Sequence, residues 1–158
     1  MTTNQSMTVT TPSDREIIIE RVFDAPAAAV YKAMIDPELV PLWWGPRNVI
    51  TIVDKMDVVP GGAWRYIHRS PDGSETAFRG VYREITPPTR LVFTFEWEGM
   101  PGHILVETVI LHEHDGKTTV TDTSLFHTTE ERDGMLNSGM EGGARESWDR
   151  LEALLVTA

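Results

Sequence analysis

The clearest hydrophobic pattern in the chain lies near its C-terminal end, between Thr128 and Val156. Apolar residues recur there in steps of three and four, the period of a helix with one buried face; they are Leu136, Met140, Ala144, Trp148, Leu151 and Leu155. Thr128 is a favourable N-cap residue, and Glu131 stands three residues later, where a capping box has its second member. The pattern therefore predicts one long closing helix.

The two halves of this predicted helix differ in composition. The second half carries bulky core-forming residues, whereas the first half contains Gly139, Gly142 and Gly143 together with Met135 and Met140. A glycine inside a helix costs about 1 kcal/mol relative to alanine. Two interpretations are open: a neighbouring backbone or a ligand approaches this face closely, or the helix is kinked and packs in the ordinary way.

The rest of the chain shows the alternating pattern of strands. We predict a first strand at Glu16–Phe23, two short helices that end near Pro37 and Trp43, and then strands over residues 49–56, 64–69, 78–83, 91–97, 103–114 and 117–126. Tight turns between neighbouring strands predict antiparallel pairing, and Asp115-Gly116 is the strongest of these turn signals. Residues 1–14 are polar and without periodicity, so we predict a disordered tail.

These elements define the expected fold. It is an α+β fold in which a curved, seven-stranded antiparallel sheet wraps around the long C-terminal helix, with the two short helices between the first and second strands. A chain of 158 residues fits one domain, which we place at residues 15–158.

Composition narrows the range of functions. The net charge is −10, so phosphate backbones and anionic membranes would repel the surface, and we expect no nucleic-acid partner. Cysteine is absent, which excludes thiol catalysis and cysteine-ligated metals. No signal-peptide pattern or apolar run of membrane-spanning length occurs, so we expect a cytoplasmic protein without membrane insertion. A homodimer is an open alternative to a monomer.

Several short segments together resemble the START-like superfamily, also called SRPBCC or helix-grip proteins, and within it the group named after the activator of the heat-shock-protein ATPase. The segments are Arg21-Val22-Phe23-Asp24-Ala25-Pro26, Trp43-Trp44-Gly45-Pro46, Asp57 with Pro60-Gly61-Gly62-Ala63-Trp64, Phe78-Arg79-Gly80-Val81, Gly139-Met140-Glu141, and Arg145 to Leu151. The resemblance implies a deep apolar pocket between the sheet and the first half of the last helix. It implies no particular chemistry, because the superfamily shares a cavity and not a reaction.

Hairpin register predicts which residues face this pocket. If Asp115-Gly116 is a two-residue turn, His114 pairs with Lys117, and Glu107 then lies across from Ser124. Alternation places one mostly apolar set on the same face, which we predict to be concave: Leu105, Glu107, Val109, Leu111, Val120, Asp122, Ser124 and Phe126.

Two interpretations of the polar residues on this face are open. Glu107, Asp122 and Ser124 could orient a ligand or act as acid and base. Alternatively, structural ion pairs neutralise the carboxylates, or the opposite face is the buried one. We favour the structural interpretation and expect lowered carboxylate pKa values, with partners among Arg21, Arg65 and Arg79.

The histidines suggest no metal site. His112 and His114 share a strand face but lack a third ligand at a diagnostic spacing, so we expect a solvated hairpin end. His68 shares a face with Trp64 and Tyr66 and is the better candidate for a polar contact in the pocket. We predict neither a metal nor another cofactor.

We favour a binder of an apolar small molecule over an enzyme. The alternatives are a cyclase, dehydratase or hydrolase that uses Glu107, Asp122 or His68 as acid–base groups, and a chaperone partner, which fits this one-domain chain less well. The predicted ligand-contacting residues lie on the sheet, the second short helix and the closing helix: Trp43, Trp44, Trp64, Tyr66, His68, Phe78, Phe93, Phe95, Trp97, Glu107, Asp122, Ser124, Met135, Gly139, Met140 and Gly143.

Overall fold

Eight antiparallel strands form one sheet in the part of the chain that the structure describes. The computed structural model describes residues 7–157. The strands are β1 Thr8–Thr10, β2 Glu16–Phe23, β3 Ile50–Met56, β4 Ala63–Arg69, β5 Glu75–Thr86, β6 Arg90–Trp97, β7 Leu105–His114 and β8 Lys117–Leu125. Their order across the sheet is β1-β2-β8-β7-β6-β5-β4-β3. The segment between β2 and β3 crosses from one side of the sheet to the opposite edge, and all later strands pair with their neighbours in sequence.

Four helices lie against this sheet. They are α1 Ala27–Ile35, α2 Val40–Trp43, α3 Thr129–Leu136 and α4 Met140–Thr157. Thr128 caps α3 as predicted, because its side chain accepts a hydrogen bond from the Glu131 backbone N–H. The α+β helix-grip class is confirmed.

Two predictions about element boundaries are wrong. The closing helix is broken at 137–139, where Gly139 adopts a positive φ of 85° that favours glycine, so α3 and α4 are separate helices. The sheet has one strand more than predicted, because Thr8–Thr10 lies within the segment assigned to the tail and pairs with Ile18–Glu20 of β2. Residues 1–6 of that tail lie outside the described residues.

The interpretation that a neighbour closely approaches the helix glycines is also wrong. A methyl group added at Gly142 or Gly143 would meet no atom within 4 Å. The glycines of α4 therefore face open space, so the helix keeps its small side chains without a packing reason.

The tightly packed core lies at one end of α4. Leu151, Phe23 and Val30 are fully buried, and the Trp148 ring meets Phe23 edge-on at 5.5 Å between centroids. Arg21, only 4% exposed, extends along this contact and donates a 2.6 Å hydrogen bond to Asp149. At the other end, Met135 and Met140 are only partly buried. The second half of α4 thus fixes the helix to the sheet.

This uneven packing predicts uneven mutational costs. Leu151→Ala should lower the free energy of unfolding by about 2–5 kcal/mol, because it leaves a cavity in the packed region. Met135→Ala should cost much less, because its side chain borders space that is already empty. Urea denaturation followed by far-UV circular dichroism measures both. Equal losses would contradict the described division of the core.

Candidate ligand-binding cavity

A cavity of about 370 Å³ lies between the concave face of the sheet and the less tightly packed part of the two C-terminal helices. Its walls come from β2 and β4 to β8 on one side, and from α1, α2, α3, α4 and the turn after α2 on the other. The volume falls within the range of about 300–1,000 Å³ that is typical of small-molecule sites. The predicted location of the pocket therefore matches a real cavity.

Aromatic side chains form most of the sheet wall. The Trp44 ring lies 5.0 Å from Tyr66 and 5.3 Å from Phe78 between centroids, both nearly edge-on. Trp64 continues the wall toward Phe93 at 5.8 Å. Its indole crosses Gly80 and donates to the Thr94 carbonyl, and an added methyl group at Gly80 would clash with both. Such an array offers a ligand flat apolar faces and edges.

The turn after α2 is hydrogen-bonded to the second half of α4, the half that packs against the sheet. The Gly45 backbone N–H donates a 2.6 Å hydrogen bond to Ser147 Oγ, which in turn donates to the Trp43 carbonyl. Arg150 donates to the carbonyls of Leu42, Gly45 and Pro46. These contacts hold the Trp44 indole in the cavity wall.

Two carboxyl groups lie next to each other on the last hairpin of the sheet, Glu107 on β7 and Asp122 on β8. The last hairpin has the predicted register, with His114 across from Lys117 and Glu107 across from Ser124. Ser124 Oγ donates a 2.6 Å hydrogen bond to Glu107 Oε1, while Asp122 Oδ1 is enclosed and has no hydrogen-bond partner in the described chain. Both side chains line the cavity. The predicted concave face of the hairpin is confirmed.

Burial raises the pKa of both carboxyl groups. It is the main cause for Glu107, where hydrogen bonds from Ser124 and Asp122 offset part of the effect. For Asp122 the negative charge of Glu107 adds to burial and raises the pKa well above its ordinary value of 3.8. A hydrogen bond between two carboxyl groups requires a proton on one of them. Glu107 and Asp122 therefore titrate as a coupled pair, and the pKa values of both are raised.

The prediction that Arg21, Arg65 or Arg79 pairs with the two carboxyl groups is wrong. Arg21 pairs with Asp149, Arg65 with Glu98 at 2.7 Å, and Arg79 with Glu96 at 3.0 Å. Arg65 and Arg79 belong to the outer face of the sheet, since their strand neighbours Trp64, Tyr66 and Phe78 point inward. The expectation of lowered pKa values fails with them, because no arginine among residues 7–157 pairs with either carboxyl group.

His68 lines the cavity on β4, three strands from Glu107 on β7. It is 8% exposed and its Nε2 has no hydrogen-bond partner within the described chain. Burial lowers its pKa to about 4, and the positive charge of Arg150 contributes. The imidazole is therefore neutral at pH 7. Gly45 allows this arrangement, because a methyl group there would stand 2.6 Å from Nε2.

Most of the residues predicted to contact a ligand lie on the cavity wall, with two exceptions. Trp97 is 43% exposed at the end of β6, where its indole donates to Thr76 Oγ1 and packs over Gly99. Gly139 lies in the break between the helices, away from the cavity. Whether the remaining residues bind a ligand stays a prediction.

Sequence reasoning missed several cavity-lining residues on α1, α2, α4, β5 and β6. These lining residues include Met34, Val40, Tyr82, Leu91, Ala144, Ser147 and Trp148. Helical spacing placed Ala144 and Trp148 on the inner face, which was a usable signal. No sequence signal pointed to Ser147, because its role depends on the position of the turn after α2. Burial raises the pKa of Tyr82 to about 12, so its phenol is neutral.

Among residues 7–157, no three His, Asp or Glu side chains are grouped closely enough to hold a metal ion. His112 and His114 are exposed on the hairpin end. Within the same residues, no helix is both long and apolar enough to cross a membrane.

The sequence model of the family "Activator of Hsp90 ATPase homolog 1-like protein" matches residues 24–156. The chain belongs to this family. The resemblance predicted from short segments is thereby confirmed, and the match spans every helix and all strands of the cavity wall except β2. A comparison with curated proteins finds no match.

Solved structures agree with this assignment to the Activator of Hsp90 ATPase homolog 1-like family. A protein from Rhodobacter sphaeroides has a TM-score of 0.91 at 22% identity, covering 97% of this chain and 100% of its own. A protein from Arthrobacter aurescens has a TM-score of 0.87 at 26% identity, covering 96% and 92%. An AHSA1 protein from Silicibacter pomeroyi has a TM-score of 0.73 at 22% identity, covering 90% and 98%. The first and third show the fold alone.

The carboxyl pair predicts an unusual pH dependence of stability. A carboxyl group whose pKa is raised by folding stabilises the fold most at low pH, and this contribution is lost as the pH rises through the raised pKa. Asp122→Asn removes that loss while keeping the shape and a hydrogen-bond donor for Glu107. The variant should therefore gain stability over the wild type as the pH rises from about 4 to 8.

Urea denaturation at several pH values measures this difference. Titrating groups outside the pair are common to both proteins and cancel in the comparison, so the difference reports the coupled titration of Asp122 and Glu107. The other titratable groups on the described cavity wall, Tyr66, His68 and Tyr82, are neutral across most of this range. A stability difference that stays constant or falls with rising pH would contradict the raised pKa of the pair.

Proposed function

We propose that this protein binds a small molecule with an apolar, aromatic or alkyl body in the cavity under α4. The observation that carries the proposal is the combination of a cavity of about 370 Å³ with polar side-chain atoms on its wall that have no partner in the described chain. Apolar space alone occurs as a packing defect, but packing defects are rarely bordered by unpaired polar atoms.

The packing of the helices supports the same proposal. Small residues in the first half of α4 leave the space unfilled, although a methyl group added at Gly143 would meet no atom within 4 Å. Filling a cavity usually stabilises a protein. A sequence that keeps Gly143 and Ala144 facing the cavity therefore gives up stability where binding would use the space.

A neutral fluorescent probe tests this proposal. N-phenyl-1-naphthylamine should show saturable fluorescence enhancement with about one site per chain and a dissociation constant in the micromolar range or weaker. Gly143→Phe should abolish the enhancement, because the ring fills the cavity from the helix side.

The neighbouring glycine offers a matched control. Gly142→Phe introduces the same side chain one residue earlier, where the position is exposed and does not line the cavity, so binding should persist. Absence of saturable binding by the native protein would refute the proposal, and equal loss in both variants would place the probe elsewhere.

The carboxyl pair favours acid–base catalysis as a second candidate function. One protonated and one ionised carboxyl group side by side in an apolar cavity are the groups that a proton-transfer enzyme needs. The acid would be Asp122 and the base Glu107. Burial strengthens the base, because a desolvated carboxylate binds a proton more tightly than one in water.

A generic proton-abstraction reaction tests this second function without a known substrate. The wild-type protein should accelerate the ring opening of 5-nitrobenzisoxazole, an apolar aromatic that loses a carbon-bound proton to a base. Glu107→Gln should remove the acceleration. The measurement is the rate of product absorbance against the same concentration of the variant. Equal rates would leave the carboxyl pair as binding groups without catalytic activity.

A further inference from the structure

The charges on the cavity wall are all of one kind. The titratable groups lining it in the described chain are Glu107 and Asp122 on the hairpin, Tyr82 on β5, and Tyr66 and His68 on β4. α1, α2, α3, α4 and the turn after α2 contribute none, and no lysine or arginine of the described residues reaches the lining. The tyrosines and His68 are neutral at pH 7. The two carboxyl groups of the cavity therefore have no cationic side chain beside them on the described cavity wall.

Protein groups do not use the full hydrogen-bonding capacity of this pair. Asp122 Oδ1 has no partner in the described chain. Glu107 accepts hydrogen bonds from Ser124 at Oε1 and from Asp122, although an ionised carboxylate offers about four acceptor positions. Leaving such acceptors unpaired in an apolar site is costly. A ligand that brings several N–H donors would satisfy them at one point.

The surroundings of the pair also suit a cation. Phe93 on β6 lies directly across from Glu107, and its ring belongs to the aromatic wall that continues through Trp64. Aromatic faces attract ammonium groups and stack with apolar bodies. A carboxylate ligand such as a fatty acid would instead meet like charge in a medium of low dielectric constant.

His68 provides an independent sign that the ligand carries polar groups. Its buried Nε2 has no partner and lies on β4, three strands from β7, which is about 14 Å along the sheet at about 4.8 Å per strand. The unpaired polar atoms thus stand at separate places on an otherwise apolar wall. A plain hydrocarbon would leave both places unsatisfied.

We infer that the cavity binds a primary or secondary amine on an aromatic or alkyl body, with the ammonium group held between Glu107 and Asp122. This inference rests on the proposed binding function and names the class of ligand. The amine nitrogen donates to the carboxyl oxygens, and its apolar body lies along Phe93 and Trp64. His68 Nε2 is then available to a second polar group of a longer ligand.

Three probes of nearly equal size separate the charge from the apolar body. They are 2-naphthylmethylamine, which is a cation at pH 7, the neutral 2-naphthylmethanol, and the anion 2-naphthoate. Isothermal titration calorimetry with the full chain should show tightest binding of the amine. The alcohol should bind about 10- to 100-fold more weakly, as expected for loss of charge-assisted hydrogen bonds, and the naphthoate weakest of all.

The double variant Glu107→Gln/Asp122→Asn removes the charge while keeping the shape. Both residues must change, because either carboxyl group left alone could hold the cation. Amine affinity should fall about 10- to 100-fold, to that of the alcohol, whereas alcohol affinity should stay unchanged, which also shows that the cavity is intact. The control Asp54→Asn/Glu84→Gln makes the same chemical change at residues that do not line the cavity, and it should keep amine affinity.

Proton release gives a second readout. Repeating the amine titration in buffers of different ionisation enthalpy should show a proton leaving on binding, because a bound cation favours ionisation of both carboxyl groups. Equal affinities for amine and alcohol would overturn the inference but leave the binding function standing. Failure of all three probes and of the neutral dye to bind would overturn both.

Discussion

The cavity depends on the way α4 is attached to the sheet at one end only. Leu151 and Trp148 fill the space against the sheet, and the Arg21–Asp149 pair closes the rim of that contact. Ser147 and Arg150, on the same stretch, hold the turn after α2. Together these contacts fix the height of the helix above the sheet. The first half of α4 must then span the concave face with small side chains, so a space remains beneath it.

The same division separates structural charges from cavity charges. On the outer face, Arg65 and Arg79 pair with Glu98 and Glu96, and these hydrogen bonds lower the pKa of both glutamates. On the inner face, Glu107 and Asp122 have no arginine partner in the described part of the chain, and their pKa values are raised. Stability alone does not explain the inner pair, since uncharged residues of similar shape would avoid the cost of burial. Such a cost is usual at functional sites.

How far the sequence predicted this structure depends on how local each feature is. The last hairpin followed from the Asp115-Gly116 turn, because register and alternation then place Glu107 and Asp122 on one face. The helix break did not follow, although Asn137, Ser138 and Gly139 are turn-forming residues, because the apolar period continues across it. Pairing of the arginines was beyond prediction, since it depends on which face of distant strands points inward. The strand Thr8–Thr10 is too short to show a pattern.

The attachment of α4 also decides which part of the wall can open. The sheet side is held by continuous ladders, and the turn after α2 is held by the anchored half of the helix. By contrast, α3 has no fully buried residue, and Gly139 separates it from α4. Local opening costs least where few apolar contacts are buried. Met135 and Met140 flank this break, and their unbranched side chains can change rotamer at low cost. Access to the carboxyl pair is therefore easiest past α3, while the residues that fix the sheet and the turn stay in place.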